Sequence, residues 1–499
     1  MDGLTVLATV SAVFVSLYLP IAVWQDAGLV RSWFFPLHRR KGGSRDDRPV
    51  VLGRRVAVVI CTNGENPDVV EWILSELKGY RAALEFFVIK EERDPFLYSA
   101  SMLTVPAGYA CPNGSRNKMR ALHYGTLKLG ELGYGPETYL IFLDDDSLVT
   151  REYVAQVWRM TDEAGQGLIR LRSYDAHLMS TLADFIRVTD CEVFCRTFNA
   201  TGRPHVAHGE GLVVRADVAV EIGWDYGTYG AEDLLMALRI RQRGYRFGLI
   251  PAYVLVAPPT SRHDFFRQRR RWLFSFLRAH SEIERASPTA LAFGVYRYML
   301  GWTGFIGLYL LLIDFALGVQ LNWLLFGLSA FNLASYFAAY QFGAASVRSV
   351  RHSVVMFLLQ FAVAFYEGGT LYWSALRPPS RTSFEVIRKT SGVGSRPGLE
   401  ARPSLAAGAA PGSHARSALF RRDPIPGVLV PGISLGRPSP AATAMASEGE
   451  FAPVARTGTD RDPARGPSAR TPRVAVEAPI AVPHDSGPVF RPWSPRASH

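Results

Sequence analysis

The sequence predicts an α/β domain attached to transmembrane α-helices and followed by a disordered C-terminal tail. Short β-branched runs alternate with helical patterns between residues 55 and 255, which indicates a doubly wound parallel sheet of the Rossmann-like kind. Apolar runs long enough to cross a bilayer flank that region on both sides. The last part of the chain is rich in Pro, Ala, Gly, Ser and Arg, a composition that does not bury enough apolar surface to fold.

The composition supports this division. The chain has 499 residues, of which 48% are hydrophobic and 20% charged, with a formal net charge of +11. A chain of this length usually holds more than one domain. We predict an N-terminal transmembrane helix at 1–30, a globular domain at 50–285, about three transmembrane helices at 290–377 and a disordered tail at 390–499.

Four cysteines are too few for a disulfide scaffold over so long a chain. Cys191 and Cys195 are four residues apart, so a helix would place them on one face. They could form half of a metal site, but no His or Cys partner lies nearby in the sequence. We therefore interpret them as buried free thiols. A reduced, cytosolic compartment agrees with this cysteine usage.

The first apolar run, Leu4–Trp24, contains no Lys, Arg, Asp or Glu and has about the 20 residues that a membrane span needs. A signal peptide is the alternative, but a basic n-region is missing and no small-residue cleavage site follows Pro20. We expect a retained helix. Basic residues follow it and none precedes it, which by the positive-inside rule places the next segment in the cytosol. These residues are Arg31, Arg39, Arg40 and Lys41.

The α/β elements follow in order. Val56–Cys61 is a continuous β-branched run, typical of a buried parallel strand. Asp68–Tyr80 has helical periodicity, and Leu84–Lys90 is a second strand. Asn117–Leu132 is a helix, and Tyr139–Leu143 is another buried strand. Ligands of such sheets bind beyond the carboxyl ends of the strands, so one crevice should collect the polar residues found there.

Thr62, Glu91 and an aspartate triplet that begins at Asp144 all follow strand ends. Three adjacent carboxylates repel one another, and a bound divalent cation would compensate for their charge. Asp144 and Asp146 flank one residue and can point to the same side. Mg²⁺ or Mn²⁺ would take these carboxylates and complete its shell with water and phosphate oxygens. A solvated turn or a helix N-cap before Leu148 is the alternative.

Two motifs follow towards the C-terminus. Glu232 and Asp233 open the helical stretch Leu234–Arg243, where acids are commonly stabilising, but Asp233 could also act as a general base. The run from Gln268 to Trp272 is either a basic interfacial helix or a functional segment. In the functional interpretation, Arg271 stabilises developing pyrophosphate charge and Trp272 offers an apolar platform to a sugar face.

Two further turns precede regular elements. Ser115–Lys118 leads into a helix, whose N-terminus and Lys118 could contact a phosphate, although a solvated basic turn is equally compatible. His208–Gly211 precedes the strand Leu212–Arg215. Its glycines permit close approach of the backbone to a ligand, or they form an ordinary turn entering a strand.

The motifs Asp144-x-Asp146, Glu232-Asp233 and Gln268-x-x-Arg271-Trp272 occur in this order between apolar runs. Together they resemble the family 2 glycosyltransferases of GT-A fold, the group that includes cellulose, chitin and hyaluronan synthases. The resemblance covers residues 55–272 and the flanking spans.

Within that family, four segments are similar to the Egghead-type β-1,4-mannosyltransferases. They are Cys61–Gly64, Asn117–Leu122, His208–Gly211 and Ala231–Asp233. One departure is that the second strand ends in Lys90-Glu91-Glu92 rather than in the aspartate typical of many synthases. Which acid contacts the base or ribose therefore stays open.

The resemblance implies an inverting, divalent-metal-dependent transfer of a hexose from a GDP- or UDP-hexose to a lipid-linked or glycan acceptor, with GDP-mannose suggested as donor. The implied catalytic residues are Asp233, as the base, and Glu232. The implied metal ligands for Mn²⁺ or Mg²⁺ are Asp144 and Asp146. The implied donor-binding residues are Thr62, Glu91, Lys118, Asp144 and Arg271. The implied acceptor-binding residues are His208, Gly209, Glu210, Gln268 and Trp272.

Three apolar runs follow the globular domain, at Tyr298–Gly318, Leu321–Ala345 and Ser353–Leu376. We expect a multi-pass protein of the cell membrane with a cytosolic catalytic domain. Three spans after a cytosolic domain would put the tail outside, whereas the basic residues that follow the last span indicate that it is inside. The side of the tail therefore stays open. Nucleic-acid binding is not expected, because membrane-flanking arginines explain much of the charge and no recognised binding motif occurs.

Three other functions stay open. A processive polysaccharide synthase would need enough spans for a channel, a transferase could load a polyprenyl phosphate, and a non-catalytic membrane scaffold would use the basic tail to bind partners.

Overall fold

The computed structural model describes part of the chain. The described residues are 3–36, 53–80, 82–172, 177–228, 230–297, 313, 315–317, 323–347 and 349–379. The predicted span Tyr298–Gly318 lies mostly outside them, and the predicted tail at 390–499 lies wholly outside them.

Helices and strands alternate along the first half of the chain. In order they are α1 (Gly3–Phe34), β1 (Arg55–Thr62), α2 (Pro67–Lys78), β2 (Leu84–Glu91), β3 (Ser101–Val105), α3 (Lys118–Glu131), β4 (Thr138–Asp144), β5 (Leu148–Val149), α4 (Arg151–Val157) and β6 (Ala164–Leu171). The five elements predicted between residues 56 and 143 are confirmed, with ends that differ by one or two residues.

The second half begins with a long helix that has an irregular middle. Helix α5 (Leu178–Asp190) continues through a π-helical turn, Cys191–Cys195, into α6 (Arg196–Ala200). The remaining elements are β7 (Leu212–Arg215), α7 (Ala216–Ile222), α8 (Glu232–Gln242), β8 (Phe247–Val256), α9 (Arg262–Arg278), α10 (His280–Ala286), α11 (Pro288–Val295), α12 (Trp323–Ala345) and α13 (Val350–Leu376).

The α/β class is confirmed, but the prediction of a parallel sheet is wrong. The eight strands follow the order β3-β2-β1-β4-β7-β6-β8-β5. Strands β3, β2, β1 and β4 are mutually parallel, whereas β7 is antiparallel to both β4 and β6. Strand β5 is also antiparallel, to β8. The sheet is therefore mixed, because the chain returns through β7 in the reverse direction.

The parallel strands end together, as predicted. In the register of β1 with β4, Cys61 faces Asp144, and in the register of β1 with β2, Thr62 faces Lys90. Val56 to Ile60 are fully buried, because helices cover both faces of this central strand. The polar residues beyond these strand ends therefore share one edge of the sheet.

Three described helices are long and apolar enough to cross a membrane: Thr5–Phe34 within α1, then α12 and α13. Helix α1 continues about three turns beyond the predicted apolar run and contains Pro20. Polar side chains link it to α12. Gln25 donates to the carbonyl of Ser335 at 2.9 Å, and Asn332 donates to the carbonyl of Val15 at 2.8 Å. Such bonds replace water as partners where helices pack in an apolar environment.

Candidate active site

A lysine joins the carboxylates of two predicted motifs. Lys118 Nζ lies 2.6 Å from Asp144 Oδ1, 3.0 Å from Glu232 Oε1 and 3.9 Å from Asp233 Oδ1. Asp144 ends strand β4, whereas the lysine and the acid pair begin helices α3 and α8. The fold thus converts residues that are up to 115 positions apart into one cluster.

Strained backbone precedes two members of this cluster. Asn117 and Ala231 have φ values of 55° and 56° and are the non-glycine residues with positive φ in the described part of the chain. Each lies directly before a helix that begins with a cluster residue, Lys118 or Glu232. A non-glycine residue in this region costs about 1–3 kcal/mol and persists only where the surrounding structure imposes it.

The loop His208–Gly211 approaches the cluster closely. A Cβ at Gly209 would lie 2.8 Å from Asp233 Oδ1 and 2.8 Å from Lys118 Nζ, so that only glycine fits without a shift. The amide of Gly211 donates to the carbonyl of Phe142 at 3.0 Å and fixes the loop to strand β4. The backbone at Gly209 therefore approaches the acid cluster closely, and its approach to a ligand stays a prediction.

The electrostatics divide the acid pair. Burial raises the pKa of Asp233 well above its ordinary value; Lys118 opposes this shift, whereas Glu232 and Asp144 add to it. Burial would also raise the pKa of Glu232, but Lys118 and the protein's hydrogen bonds hold it below the ordinary value. Asp233 is thus the more basic of two neighbouring carboxylates.

Lys118 carries the positive charge of the cluster. Burial alone would lower the pKa of its ammonium, but the carboxylates of Asp144, Asp233 and Glu232 raise it well above the ordinary value. Burial also raises the pKa of Asp144, which Lys118 opposes and the neighbouring Glu210 and Asp146 reinforce. Lys118 alone does not neutralise the three carboxylates that it contacts, so part of their negative charge is not compensated by it.

The aspartate triplet at the end of strand β4 has three different environments. Asp144 pairs with Lys118, and Asp145 accepts a hydrogen bond from Asn66 Nδ2 at 3.1 Å. Asp146 is buried and accepts a hydrogen bond from the hydroxyl of Ser147 at 3.1 Å. Carboxylate oxygens suit a hard divalent cation, so these residues fit the predicted Mn²⁺ or Mg²⁺.

The two other predicted donor residues lie at the same edge. Glu91 forms an ion pair with Arg120, with Glu91 Oε2 2.7 Å from Arg120 Nη1. Thr62 is buried, and its hydroxyl accepts a hydrogen bond from the amide of Gly64 at 3.1 Å. Glu91 is the last residue of strand β2, at the same edge as the ends of strands β1 and β4.

The Gln268–Trp272 segment lies within helix α9 and contains two buried polar residues. Gln268 and Arg269 are buried, at 3% and 4% exposure. Arg269 Nη2 lies 3.2 Å from Asp184 Oδ1 and 3.3 Å from Glu367 Oε1, which links α9 to helices α5 and α13. Gln268 and Arg269 line the same cavity as Arg271 and Trp272.

Arg187 is a site residue that the sequence interpretation missed. Its guanidinium lies 2.8 Å from Glu210 Oε1 and 4.8 Å from the centre of the Trp272 ring. It also pairs with Asp184 one turn earlier in helix α5. No motif surrounds Arg187 in the sequence; the only signal is its position next to the buried face of an amphipathic helix.

One cavity of about 700 Å³ collects all the predicted site residues and reaches the candidate membrane helices. The predicted residues that line it are Thr62, Glu91, Lys118, Asp144, Asp146, His208, Gly209, Glu210, Glu232, Asp233, Gln268, Arg271 and Trp272. It is also lined by Gln25 of α1, Tyr340 of α12 and Glu367 of α13. A volume of this size is ordinary for a small-molecule site.

Comparisons with known proteins agree with the motifs. Residues 139–366 match the family described as glycosyl transferase family group 2. The chain is 26% identical over 266 residues to the β-1,4-mannosyltransferase bre-3 of Caenorhabditis briggsae, covering 50% of this chain and 58% of that protein. It is 27% identical over 277 residues to the β-1,4-mannosyltransferase egh of Drosophila melanogaster, covering 52% and 59%.

The alignments thus span less than two thirds of these curated relatives. Among solved structures, the mannosyltransferase PcManGT from Pyrobaculum calidifontis, in complex with GDP-Man and Mn²⁺, matches with a TM-score of 0.39 at 15% identity. That match covers 74% of this chain and 98% of the other. The family match agrees with the resemblance that the sequence motifs indicated.

Proposed function

Because the chain carries a family 2 glycosyltransferase domain, we propose that it transfers a hexose with inversion from a nucleotide-sugar to a lipid-linked or glycan acceptor. The observation that carries the proposal is the Lys118 cluster. It joins the carboxylate that ends strand β4 to the acid pair that begins α8, within one cavity. A donor site and a proton acceptor are thereby adjacent.

Asp233 is the general base in this proposal. Its raised pKa makes it the better proton acceptor of the acid pair, and a base works best when its pKa lies near the working pH. Asp233 takes the proton of an acceptor hydroxyl, and the hydroxyl oxygen attacks the anomeric carbon as the bond to the phosphate breaks. Glu232, with the lower pKa, stays ionised and keeps Lys118 in place.

The donor lies across the strand ends. Asp144 and Asp146 would hold Mn²⁺ or Mg²⁺, which supplies positive charge to the departing phosphates. Arg271 lines the same cavity and would stabilise the same charge, while Thr62 and Glu91 contact the nucleoside. Lys118 lines the same cavity and would contact a donor phosphate.

Mannose is the preferred sugar, and GDP-mannose the preferred donor. Both curated relatives are β-1,4-mannosyltransferases, although at 26% and 27% identity. The acceptor is lipid-linked, because the cavity extends from the acid cluster to three helices that are long and apolar enough to cross a membrane. His208, Gly209, Glu210, Gln268 and Trp272 line the same cavity and would contact the acceptor. The catalytic domain is cytosolic in a multi-pass protein of the cell membrane.

A donor panel tests the proposal. The detergent-solubilised full chain is incubated with UDP- and GDP-hexoses and a lipid extract, with and without Mn²⁺. We expect transfer from GDP-mannose that needs the metal and yields a short, lipid-extractable product. Asp233→Asn should lower turnover by about 10²–10⁴ while donor binding is retained. Asp146→Ala should abolish the metal-dependent part of donor binding.

The control is Glu131→Gln, which removes an exposed carboxylate at the end of α3. A long polymer would indicate a processive synthase instead. A mild-acid-labile lipid product would indicate transfer to a polyprenyl phosphate. No donor turnover with any sugar would leave a membrane scaffold and overturn the proposal.

A further inference from the structure

Two cysteines and a histidine meet at the wall of the cavity. The sulfur atoms of Cys191 and Cys195 and one ring nitrogen of His208 all lie within 4.8 Å of one another. Cys191 Sγ is 3.4 Å from His208 Nε2. This partner of the cysteines is not recognisable in the sequence, because Cys191 and His208 are 17 positions apart.

The backbone that carries the cysteines is unusual. Cys191–Cys195 is a π-helical turn inserted between helices α5 and α6. Such turns are rare in proteins overall, and those that occur are often found at functional sites. Both thiols are reduced and buried, and both line the cavity.

The histidine is oriented as a metal ligand. His208 Nδ1 lies 2.9 Å from the carbonyl oxygen of Glu210, which can only accept, so Nδ1 carries a proton and the neutral ring would present the lone pair of Nε2 to Cys191. Histidines that bind metals usually donate their other ring N–H to a carbonyl or carboxylate, which fixes the ring. The carboxylate of Glu210 is itself held by Arg187 at 2.8 Å.

We propose that Cys191, Cys195 and His208 bind a thiolate-preferring divalent cation of the Zn²⁺ type. With metal–sulfur and metal–nitrogen bonds of about 2.3 and 2.0 Å, neighbouring ligand atoms of a tetrahedral site are roughly 3.5 Å apart. The 3.4 Å between Cys191 Sγ and His208 Nε2 matches this spacing. Binding releases the two thiol protons to solvent, and the fourth position faces the cavity.

This site differs in chemistry from the aspartate triplet. Thiolate and imidazole ligands select Zn²⁺, whereas carboxylates select Mg²⁺ and Mn²⁺. It also has a distinct position, because it joins the π-helical turn to the loop His208–Gly211, where a Cβ added at Gly209 would press on Asp233 and Lys118. A bound ion would fix the loop His208–Gly211 against the π-helical turn, and so keep Gly209 in position beside the acid cluster.

Metal analysis of the full chain tests the proposal. The detergent-solubilised protein is purified without chelator, and its zinc is counted by mass spectrometry. We expect one zinc per chain, retained in excess Mg²⁺. Replacing it with Co²⁺ should give the thiolate-to-cobalt charge-transfer absorption, which carboxylate sites do not produce. Both signals should disappear in the Cys191→Ser/Cys195→Ser double variant and persist in Cys111→Ser, which removes another buried thiol.

The zinc content and the cobalt spectrum of the wild-type protein test the proposal even if the double variant does not fold. Absence of zinc, with no cobalt–thiolate absorption on titration, overturns the proposal. So does an intact mass lower by two hydrogens that reductant restores, since this would make Cys191 and Cys195 a disulfide pair. Zinc that remains in a folded double variant overturns it as well. None of these measurements depends on the transfer reaction.

Discussion

Lys118 Nζ lies 2.6 Å from Asp144 Oδ1, and this contact joins the start of helix α3 to the end of strand β4. The sequence suggested that Lys118 binds a phosphate directly. In the structure its ammonium already neutralises part of the carboxylate cluster. Lys118 is therefore the residue whose charge sets the basicity of its neighbours.

Removing that charge should change the pH dependence of transfer. Lys118 lowers the pKa of Asp233, so Lys118→Met should raise it further. A general base must be ionised, and the acid limb of kcat/KM should consequently move to higher pH in the variant. The pH profile measured with GDP-mannose checks this. A limb that moves to lower pH, or does not move, contradicts the place of Asp233 as base.

Asp233→Asn should stabilise the fold at neutral and higher pH. The pKa of Asp233 in the folded protein is raised above its ordinary value of 3.8. Its contribution to the free energy of unfolding is therefore full below pH 3.8 and is lost as the pH rises through the folded pKa. The amide does not ionise, so the gain in Tm should grow from pH 4 upwards. A gain that is largest in acid would contradict the direction of the pKa shift.

Gly209→Ala should lower turnover while the protein stays folded. The new Cβ would lie 2.8 Å from Asp233 Oδ1 and Lys118 Nζ, so these side chains or the loop must shift to accept it. The matched control is Gly108→Ala, where a Cβ meets no heavy atom within 4 Å. Steady-state kinetics and Tm of both variants are compared. Equal kinetics in the two variants would show that the close approach has no catalytic consequence.

Arg269→Met should destabilise the protein by about 3–5 kcal/mol, because it leaves the buried Asp184 and Glu367 without their common partner. The control is Arg285→Met, which removes an exposed partner of Glu282 and should cost about 1 kcal/mol or less. Denaturant or thermal unfolding in detergent measures both. Arg269→Met/Glu367→Gln should recover part of the loss, since the charge of Glu367 that Arg269 compensated is also removed.

Local patterns predicted the first half of the domain better than the second. Strands β1, β2 and β4 are rich in β-branched, aromatic and other apolar residues, and each was predicted. Strand β6 did not, because Gly165 and Gly167 interrupt its apolar pattern; a Cβ at either would press on a neighbouring backbone oxygen. The antiparallel direction of β7 depends on how a distant helix returns the chain, which its four residues do not encode.

The predicted site residues reached one cavity because their motifs lie at element ends, where the fold collects them. The partners of those residues were not predictable in the same way. Arg187 reaches Glu210 from the middle of α5, and Cys191 reaches His208 from a π-helical turn. These contacts depend on the rotation of a helix against a loop, and neither residue stands in a motif.

The left-handed backbone of Ala231 has a consequence for engineering a more heat-resistant protein. Ala231→Gly should relieve strain and raise the free energy of unfolding by a few tenths of a kcal/mol, whereas Ala155→Gly in helix α4 should lower it by about 1 kcal/mol. Glu232 and Asp233 would then start from a looser backbone. Selection for thermal resistance alone would thus favour glycine at this position and lower the turnover, so screens should score turnover together with heat resistance.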